Sequence, residues 1–182
     1  SKYVPDGVYA MNASTTENAL VALTTTDTST IYVYKYHYAG REKMQSAWFK
    51  YTFNDLEVLN AAFIESSLFV VGNKSGKTIL FKIQFDEVTR LDFRFTEAEC
   101  STAYNSALDR TVITLPFALD TPFLVTRGTS SGEVLPIIGG GSSSLIVSGD
   151  KTSTEFYCGE KYTMTYQFSE PTLKEPTAGG GR

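Results

Sequence analysis

Apolar and polar side chains alternate one by one along several stretches of this chain, and a period of two predicts β-strands. The even positions of residues 31–38 are all tyrosines: Tyr32, Tyr34, Tyr36 and Tyr38. The same alternation recurs over residues 47–53, 78–85 and 162–168. Because neighbouring side chains in a strand point to opposite sides of a sheet, each stretch presents two different faces.

Turn-forming residues separate these stretches and divide the predicted strands into two regions. The first region contains two groups of strands at residues 19–24, 30–38 and 46–53, and at 58–66, 68–71 and 78–85. The second region contains shorter strands at residues 111–117, 123–127, 133–138, 144–148, 155–158 and 161–168. The sequence therefore predicts an all-β protein. Repeated antiparallel meanders at short spacing are typical of propeller-like blades, and the shorter strands indicate a small β-barrel or β-sandwich.

We expect a propeller-blade-like region over residues 1–97, a barrel or sandwich domain over 98–175, and a flexible Gly-rich end over 176–182. Within the second region, residues 98–108 are the one stretch that a helix would tolerate, although its Ser, Thr and Asn residues weaken a helix. Two blades cannot close a propeller. The sequence is therefore expected to be an interior fragment of a longer protein.

Composition and charge narrow the functional classes. The chain has 182 residues and a formal net charge of −4 at pH 7. Proteins that bind nucleic acid neutralise phosphates with clustered Lys and Arg, and the sequence has no such cluster. This argues against stable, sequence-specific nucleic-acid binding but is compatible with a lumen through which DNA slides. No apolar run approaches the ~20 residues of a membrane-spanning helix.

Residues 72–78 resemble a phosphate-binding P-loop but lack its spacing. The segment reads Gly-Asn-Lys-Ser-Gly-Lys-Thr, with three residues between its glycines where the motif has four. A P-loop also opens a helix, whereas residues 79–85 alternate like a strand. The segment is predicted to contain the turn of a β-hairpin.

Metal and nucleophile sites have few candidates. His37 is the single histidine, and no second His or Cys lies near it in the sequence. A nucleophilic pair of His37 with Cys100 or Cys158 has no support from spacing. The two cysteines are expected to be free, partly buried thiols, and no metal ion or cofactor is expected.

Two further features point to sugar chemistry or to protein contacts. Glycoside cleavage needs a pair of carboxyl groups, and Asp86, Glu87 and Asp92 are candidates at a strand end or turn. Charges at such positions are usually solvated. The tyrosine face of residues 31–38 can stack on sugars or pack in a protein interface, and interface packing is the favoured interpretation. The interface candidates are Tyr32, Tyr34, Tyr36 and Tyr38.

The residues around the single tryptophan resemble a known family of phage proteins. Residues 45–53, Gln-Ser-Ala-Trp-Phe-Lys-Tyr-Thr-Phe, are similar to a segment of the tail tubular protein B, or tail nozzle, family of autographivirus-type short-tailed phages. Residues 16–21 and 159–169 resemble flanking segments of that family in the same order. The likeness spans most of the chain, and the family's proteins are several times longer.

The resemblance implies a structural role in the virion. Nozzle proteins form a six-fold ring below the adaptor ring of the tail, contain propeller-like β domains, contribute to the channel for DNA ejection and help to dock tail fibres. The implied partners are other copies of the protein, the tail adaptor, the tail fibre and, transiently, genomic DNA. The implied location is the virion tail, after assembly in the host cytoplasm.

The favoured interpretation is therefore a structural tail component that holds DNA and then lets it pass, and not an enzyme. Two alternatives stay open. One is a tail module that binds or degrades polysaccharide, and the other is a propeller that binds a peptide partner. The isolated chain is expected to be a monomer in solution, because ring contacts can require regions outside it.

Overall fold

The computed structural model describes residues 3–85 and 91–165 and confirms the all-β prediction. Within these residues the backbone forms fourteen strands in four antiparallel sheets. The helical segments that are described are two three-residue 3-10 turns, Glu97–Glu99 and Gly128–Ser130. None of them is long and apolar enough to cross a membrane.

The first sheet is a meander in which each strand pairs with the next one along the chain. Its strands are β1 (Val8–Ser14), β2 (Ala19–Thr24), β3 (Thr30–Ala39) and β4 (Glu42–Thr52). The predictions for β2, β3 and β4 are confirmed to within a few residues, while β1 was not predicted. Its inward positions Ala10 and Asn12 are small or polar, so β1 lacks a strong alternating apolar signal.

The second sheet is a three-stranded meander that contains the predicted hairpin. Its strands are β5 (Leu56–Ile64), β6 (Ser67–Lys74) and β7 (Lys77–Gln84). Ser75 and Gly76 form the β6–β7 turn with φ angles of 50° and 75°. A two-residue turn with both φ angles positive matches the right-handed twist of a hairpin. The P-loop-like segment is thus the end of a strand and a tight turn, as predicted.

The two sheets pack face to face around one apolar core. Their buried inward residues come from both sheets: Val21, Leu23, Ile31, Val33, Phe53, Leu56, Val58, Ala61, Leu68 and Val70. β1 lies beside β5, where the backbone N–H of Phe63 donates to Oδ1 of Asn12 at 2.9 Å. The hydroxyl of Tyr9 donates to the carbonyl of Val58 at 3.2 Å. This stack of meanders is consistent with the propeller-like blades that the sequence predicts.

The second pair of sheets encloses a separate core. One sheet has the order β12-β13-β10-β9 and the other β11-β14-β8. The strands are β8 (Asp92–Thr96), β9 (Ser101–Asn105), β10 (Arg110–Thr114), β11 (Pro122–Thr126), β12 (Ile137–Gly140), β13 (Ser144–Ser148) and β14 (Phe156–Glu160). Buried side chains from both sheets, including Ile113, Leu124, Leu145 and Phe156, form the core. Of the two architectures predicted for this region, the structure has the sandwich-like one.

The stretch 98–108, which was the one that a helix would tolerate, forms the end of a 3-10 turn and then strand β9, which pairs with β10. One predicted strand in this region is wrong. The strand predicted over 161–168 is not present over residues 161–165, and residues 166–168 lie outside the described residues. Strand β14 ends at Glu160, whose side chain is buried in contact with Lys74 of the other region.

Phenylalanine rings join the two pairs of sheets. Phe93 of β8 lies 5.7 Å from Phe53, 5.3 Å from Phe81 and 6.0 Å from Phe117, measured between ring centroids. Strand β8 pairs with β14, so it belongs to the second set of sheets although it precedes residue 97. The division into regions 1–97 and 98–175 stays a prediction, and the Gly-rich end 176–182 lies outside the described residues.

Candidate interface on the aromatic face of the first sheet

The predicted tyrosine face is the outer face of the first sheet, on the side away from the shared core. Ile31 and Val33 of β3 point inward and are fully buried. Tyr32, Tyr34 and Tyr36 alternate with them and therefore lie on the opposite face. The strand is apolar on both sides, which is typical of a sheet that is covered by protein on both faces.

The rings on this face form one continuous row, which we call the aromatic stripe: Tyr3, Trp48, Tyr34, Tyr36 and Tyr38. Successive ring centroids along the row lie 6.1, 5.1, 5.9 and 5.6 Å apart. These distances are those of favourable aromatic pairs, which contribute beyond the area that they bury. The row runs along β3 and crosses to β4 at Trp48.

The exposure of the four tyrosines of β3 increases from one end of the strand to the other. Tyr32 is 5% exposed, Tyr34 and Tyr36 are half-buried, and Tyr38 is 49% exposed. Trp48 is 38% exposed. All five rings of the stripe thus present exposed surface, including Tyr3 at 48%, whereas Tyr32, which is not part of the stripe, is buried.

Tyr32 is buried and supports the exposed rings instead of contributing accessible surface. Its hydroxyl donates to Oδ2 of Asp27 at 2.9 Å, and its ring meets that of Tyr3 edge-on at 6.2 Å. Burial, together with the hydrogen bond to Asp27 and the charge of that carboxylate, raises the pKa of Tyr32 to about 12. Of the four predicted tyrosines, Tyr34, Tyr36 and Tyr38 present accessible ring surface, and Tyr32 supports them.

The structure adds residues that the sequence pattern did not point to. Trp48 joins the stripe because β4 pairs with β3 in a register that sets it beside Tyr34. Met11 of β1 is on the same face, since it is opposite Ala22, which is in turn opposite Tyr32, and it is 68% exposed. Only the strand register reveals these neighbours, because the residues lie far apart along the chain.

Comparison with known proteins identifies the family of the chain. A family model described as bacteriophage nozzle protein matches residues 1–182. The chain belongs to the bacteriophage nozzle protein family. It is also 27% identical over 197 aligned residues to the tail tubular protein gp12 of Escherichia phage T7, which covers 98% of this chain.

The alignment covers 25% of that T7 protein, so the chain spans about a quarter of its relative's length. The resemblance to tail nozzle proteins that the sequence indicated is confirmed. Membership of the nozzle family, together with the likeness to a tail tubular protein, supports a structural role in the tail of the virion.

Of the three carboxyl groups that are candidates for the sugar-cleaving alternative, the structure of this nozzle-family chain describes one, Asp92. Asp86 and Glu87 lie outside the described residues. Asp92 faces the interior between the two pairs of sheets, where burial and then the charge of Glu160 raise its pKa, while Lys74 acts against them. Two open surface grooves of about 590 and 440 Å³ are lined by other residues. Asp92 lines neither of these two grooves, whereas glycoside cleavage needs a pair of carboxyl groups in an accessible cleft.

The other candidate chemistry is also unassembled in the part of the nozzle-family chain that is described. His37 is exposed on β3. Among the described residues, no group of three or more His, Cys, Asp and Glu side chains is placed to hold a metal ion. Cys100 and Cys158 are free thiols, half-buried and buried, as predicted. Burial raises the pKa of Cys100 to about 11 and that of Cys158 to about 12, which leaves both as poor nucleophiles.

Proposed function

We propose that this chain forms part of the wall of a phage tail nozzle and that its aromatic stripe is buried against a second copy of the nozzle protein. Family membership over the whole chain supports the first part of this proposal. The second part depends on one observation, the row of exposed and half-exposed rings along β3 and β4. Tyr and Trp are enriched in the buried centres of protein interfaces.

The two outer faces of the stacked sheets favour a contact between unlike surfaces of identical subunits. One outer face carries the aromatic stripe. The other belongs to the second sheet and exposes aliphatic side chains, with Leu80 at 68% and Ile64 at 59% exposure. Two different apolar faces on opposite sides of one subunit suit head-to-tail contacts, which close into a ring when the rotation between subunits permits. A six-fold ring is the arrangement that we propose for the assembled tail.

Rigid sheets with weak charge are suited to a conduit for DNA. A lumen must guide the phosphate backbone without holding it, and tight phosphate contacts require clustered Lys and Arg. The net charge of −4 fits a wall along which DNA slides during ejection. We also propose that the ring docks below the tail adaptor and presents a platform for the tail fibres.

The arrangement of the stripe favours a protein partner over a glycan. Neighbouring rings are tilted by 42° at Tyr34–Trp48 and 79° at Tyr36–Tyr38. Such a row is a corrugated surface instead of a flat stacking platform, and side chains of a second protein can interdigitate with it. Release of sugar from host capsule or peptidoglycan by the protein would contradict the structural role.

A substitution in the stripe tests the proposal in phage particles. Trp48→Ser removes the largest ring of the stripe, and Tyr104→Ser is the matched control, because Tyr104 is 37% exposed on an edge strand of the second region. We expect Trp48→Ser to reduce the yield of particles with complete tails at least about 10-fold, as for the loss of an interface anchor. Normal tails with Trp48→Ser, or an equal loss with Tyr104→Ser, would contradict the proposed interface.

A further inference from the structure

Lys74 occupies a position where a charged side chain is unexpected. It ends the alternating inward face of β6, after Leu68, Val70 and Gly72, and its side chain is fully buried. A buried ammonium group is costly unless it is paired and hydrogen-bonded. Lys74 also belongs to the segment that resembles a P-loop, but its ammonium group is buried and paired within the protein.

The ammonium group of Lys74 connects the first pair of sheets to the second. Its Nζ donates to the backbone carbonyl of Asn54 at 3.0 Å within its own region. The same atom lies 3.2 Å from Oε1 of Glu160 at the end of β14 and 3.7 Å from Oδ2 of Asp120 in the loop before β11. Lys74 therefore contacts two carboxylates of the other region.

The carboxylate of Glu160, which accepts from Lys74, is also held in place by the protein. The carboxylate of Glu160 is 5% exposed, and its Oε1 also accepts the backbone N–H of Asp120 at 2.7 Å. The ammonium group of Lys74 further lies 4.7 Å from the ring centroid of Phe93, a cation–π contact with strand β8. The same ammonium group thus meets a strand end, a loop and an aromatic ring of the second region.

The remaining contacts that join the regions are less specific in geometry. Phe93 packs against Phe53 and Phe81 on one side and Phe117 on the other, and such rings can slide and tilt at small cost. A buried ion pair contributes little net stability compared with apolar residues of the same volume, but it is satisfied in one arrangement only. The effect of such an ion pair is then on the relative orientation of the two regions and not on net stability.

We propose that the Lys74–Glu160–Asp120 cluster is a positioning device that locks the two pairs of sheets into one rigid, cooperatively folding unit. Without the cluster, the phenylalanine contacts still attract the two regions but leave their relative orientation variable. A wall subunit requires this rigidity if strain on one pair of sheets is to be carried by the other. The proposal concerns the fold itself and does not depend on the aromatic stripe or on its partner.

The test compares three variants of the full chain by calorimetry and small-angle X-ray scattering. Lys74→Met removes the ammonium group, and the double variant Lys74→Met/Glu160→Gln also removes the carboxylate charge while keeping an acceptor for the amide of Asp120. Lys82→Met is the control, since Lys82 is exposed on the adjacent strand β7. The wild type and Lys82→Met are expected to melt in one transition.

Both cluster variants are expected to melt in two transitions separated by more than about 5 °C, with a larger maximum dimension in scattering. The double variant decides between orientation and simple stabilisation, because it removes both charges of the Lys74–Glu160 pair and does not leave Glu160 as a buried, unpaired carboxylate. A single cooperative transition with unchanged scattering in the double variant would overturn the proposal. Two transitions in the wild type would also overturn it.

Hydrogen exchange in the wild type keeps the proposal testable if the variants do not fold. In one cooperative unit the slowest amides of β6 and β10 exchange through the same global opening. We therefore expect their protection factors to agree within about 10-fold. A difference of more than about 100-fold would show that the two regions open independently and that the cluster does not couple them.

Discussion

The ring of Tyr34 lies 5.1 Å from the ring of Trp48, because the β3–β4 register sets these residues directly opposite each other. The two rings form the centre of the aromatic stripe, and their outer surfaces are accessible in the isolated chain. Since the shared core lies on the other side of the sheet, the stripe can contact a partner in the interface that we propose.

Loss of the Trp48 ring is therefore expected to have a small effect on the isolated chain. Trp48→Ser should lower the free energy of unfolding by about 1–2 kcal/mol, because it removes aromatic contacts with Tyr34 and Tyr3 but opens no cavity in the core. Urea denaturation measures this change. A decrease of more than about 4 kcal/mol would indicate that Trp48 is a core residue.

Gly72 is required by the close approach of β5 to β6. A Cβ atom at position 72 would lie 2.7 Å from Cδ1 of Leu56 and 2.9 Å from the backbone carbonyl oxygen of Glu57. The backbone atom cannot move without shifting β5, so Gly72→Ala is expected to cost about 1–3 kcal/mol. Gly141→Ala is the control, because a Cβ there meets nothing within 4 Å. Equal unfolding free energies for the two variants would contradict this packing.

The stability of the contact between the two pairs of sheets is expected to depend on the protonation of Asp92. Burial, reinforced by the charge of Glu160, raises the pKa of Asp92 above its ordinary value of 3.8. A raised pKa means that the folded state binds the proton of Asp92 more tightly than the unfolded state does. The ionised carboxylate therefore destabilises the folded state at pH values above this pKa. The destabilisation disappears as the pH falls through the pKa.

Asp92→Asn is expected to increase the free energy of unfolding at pH 7. The gain over the wild type should shrink as the pH is lowered towards 4, because the wild-type carboxyl group then becomes neutral as well. Urea denaturation at several pH values measures the difference. Asp150→Asn is the control with the opposite sign, since hydrogen bonds from the backbone and side chain of Thr152 lower the pKa of Asp150. A gain in the free energy of unfolding for Asp92→Asn that is the same at every pH would contradict the raised pKa of Asp92.

The two thiols are expected to be unreactive while the chain is folded. The pKa of Cys158 is raised to about 12, so its thiolate is scarce at pH 8. Iodoacetamide should alkylate Cys158 at least about 100-fold more slowly in the native protein than in urea. Cys100 should also react slowly, because its pKa is raised to about 11. Mass spectrometry of the labelled protein measures both rates, and fast native labelling of Cys158 would contradict its burial.

Much of the fold could be predicted because strand alternation is a local signal. Strand β2 and strand β13 were predicted with their observed bounds. Strand β1 was missed because its inward positions are small or polar and are completed by hydrogen bonds from β5, such as that from Phe63 to Asn12. The stretch 98–108 gave no clear local signal, and its strand β9 is formed through pairing with β10.

The full aromatic stripe and the partner of Lys74 could not be predicted, because the sequence does not show the strand register or the packing of the sheets. The tyrosines of β3 were visible as a pattern, but Trp48 and Met11 join them only through pairing with neighbouring strands. Lys74 gave a local signal, since a lysine follows Leu68, Val70 and Gly72 on the inward face of β6. Its partner Glu160 lies in another sheet and far along the chain, so the ion pair could not be predicted.

Hydroxyl-radical footprinting of the isolated chain and of intact phage particles tests the central claim most directly. Radicals oxidise accessible Trp, Tyr and Met side chains, and Trp48, Tyr38 and Met11 are 38%, 49% and 68% exposed in the isolated chain. If the stripe is an interface of the tail nozzle, oxidation of these three residues should fall at least about 10-fold in the particle, as expected for buried interface residues. Equal oxidation in the particle and in the isolated chain would contradict the account.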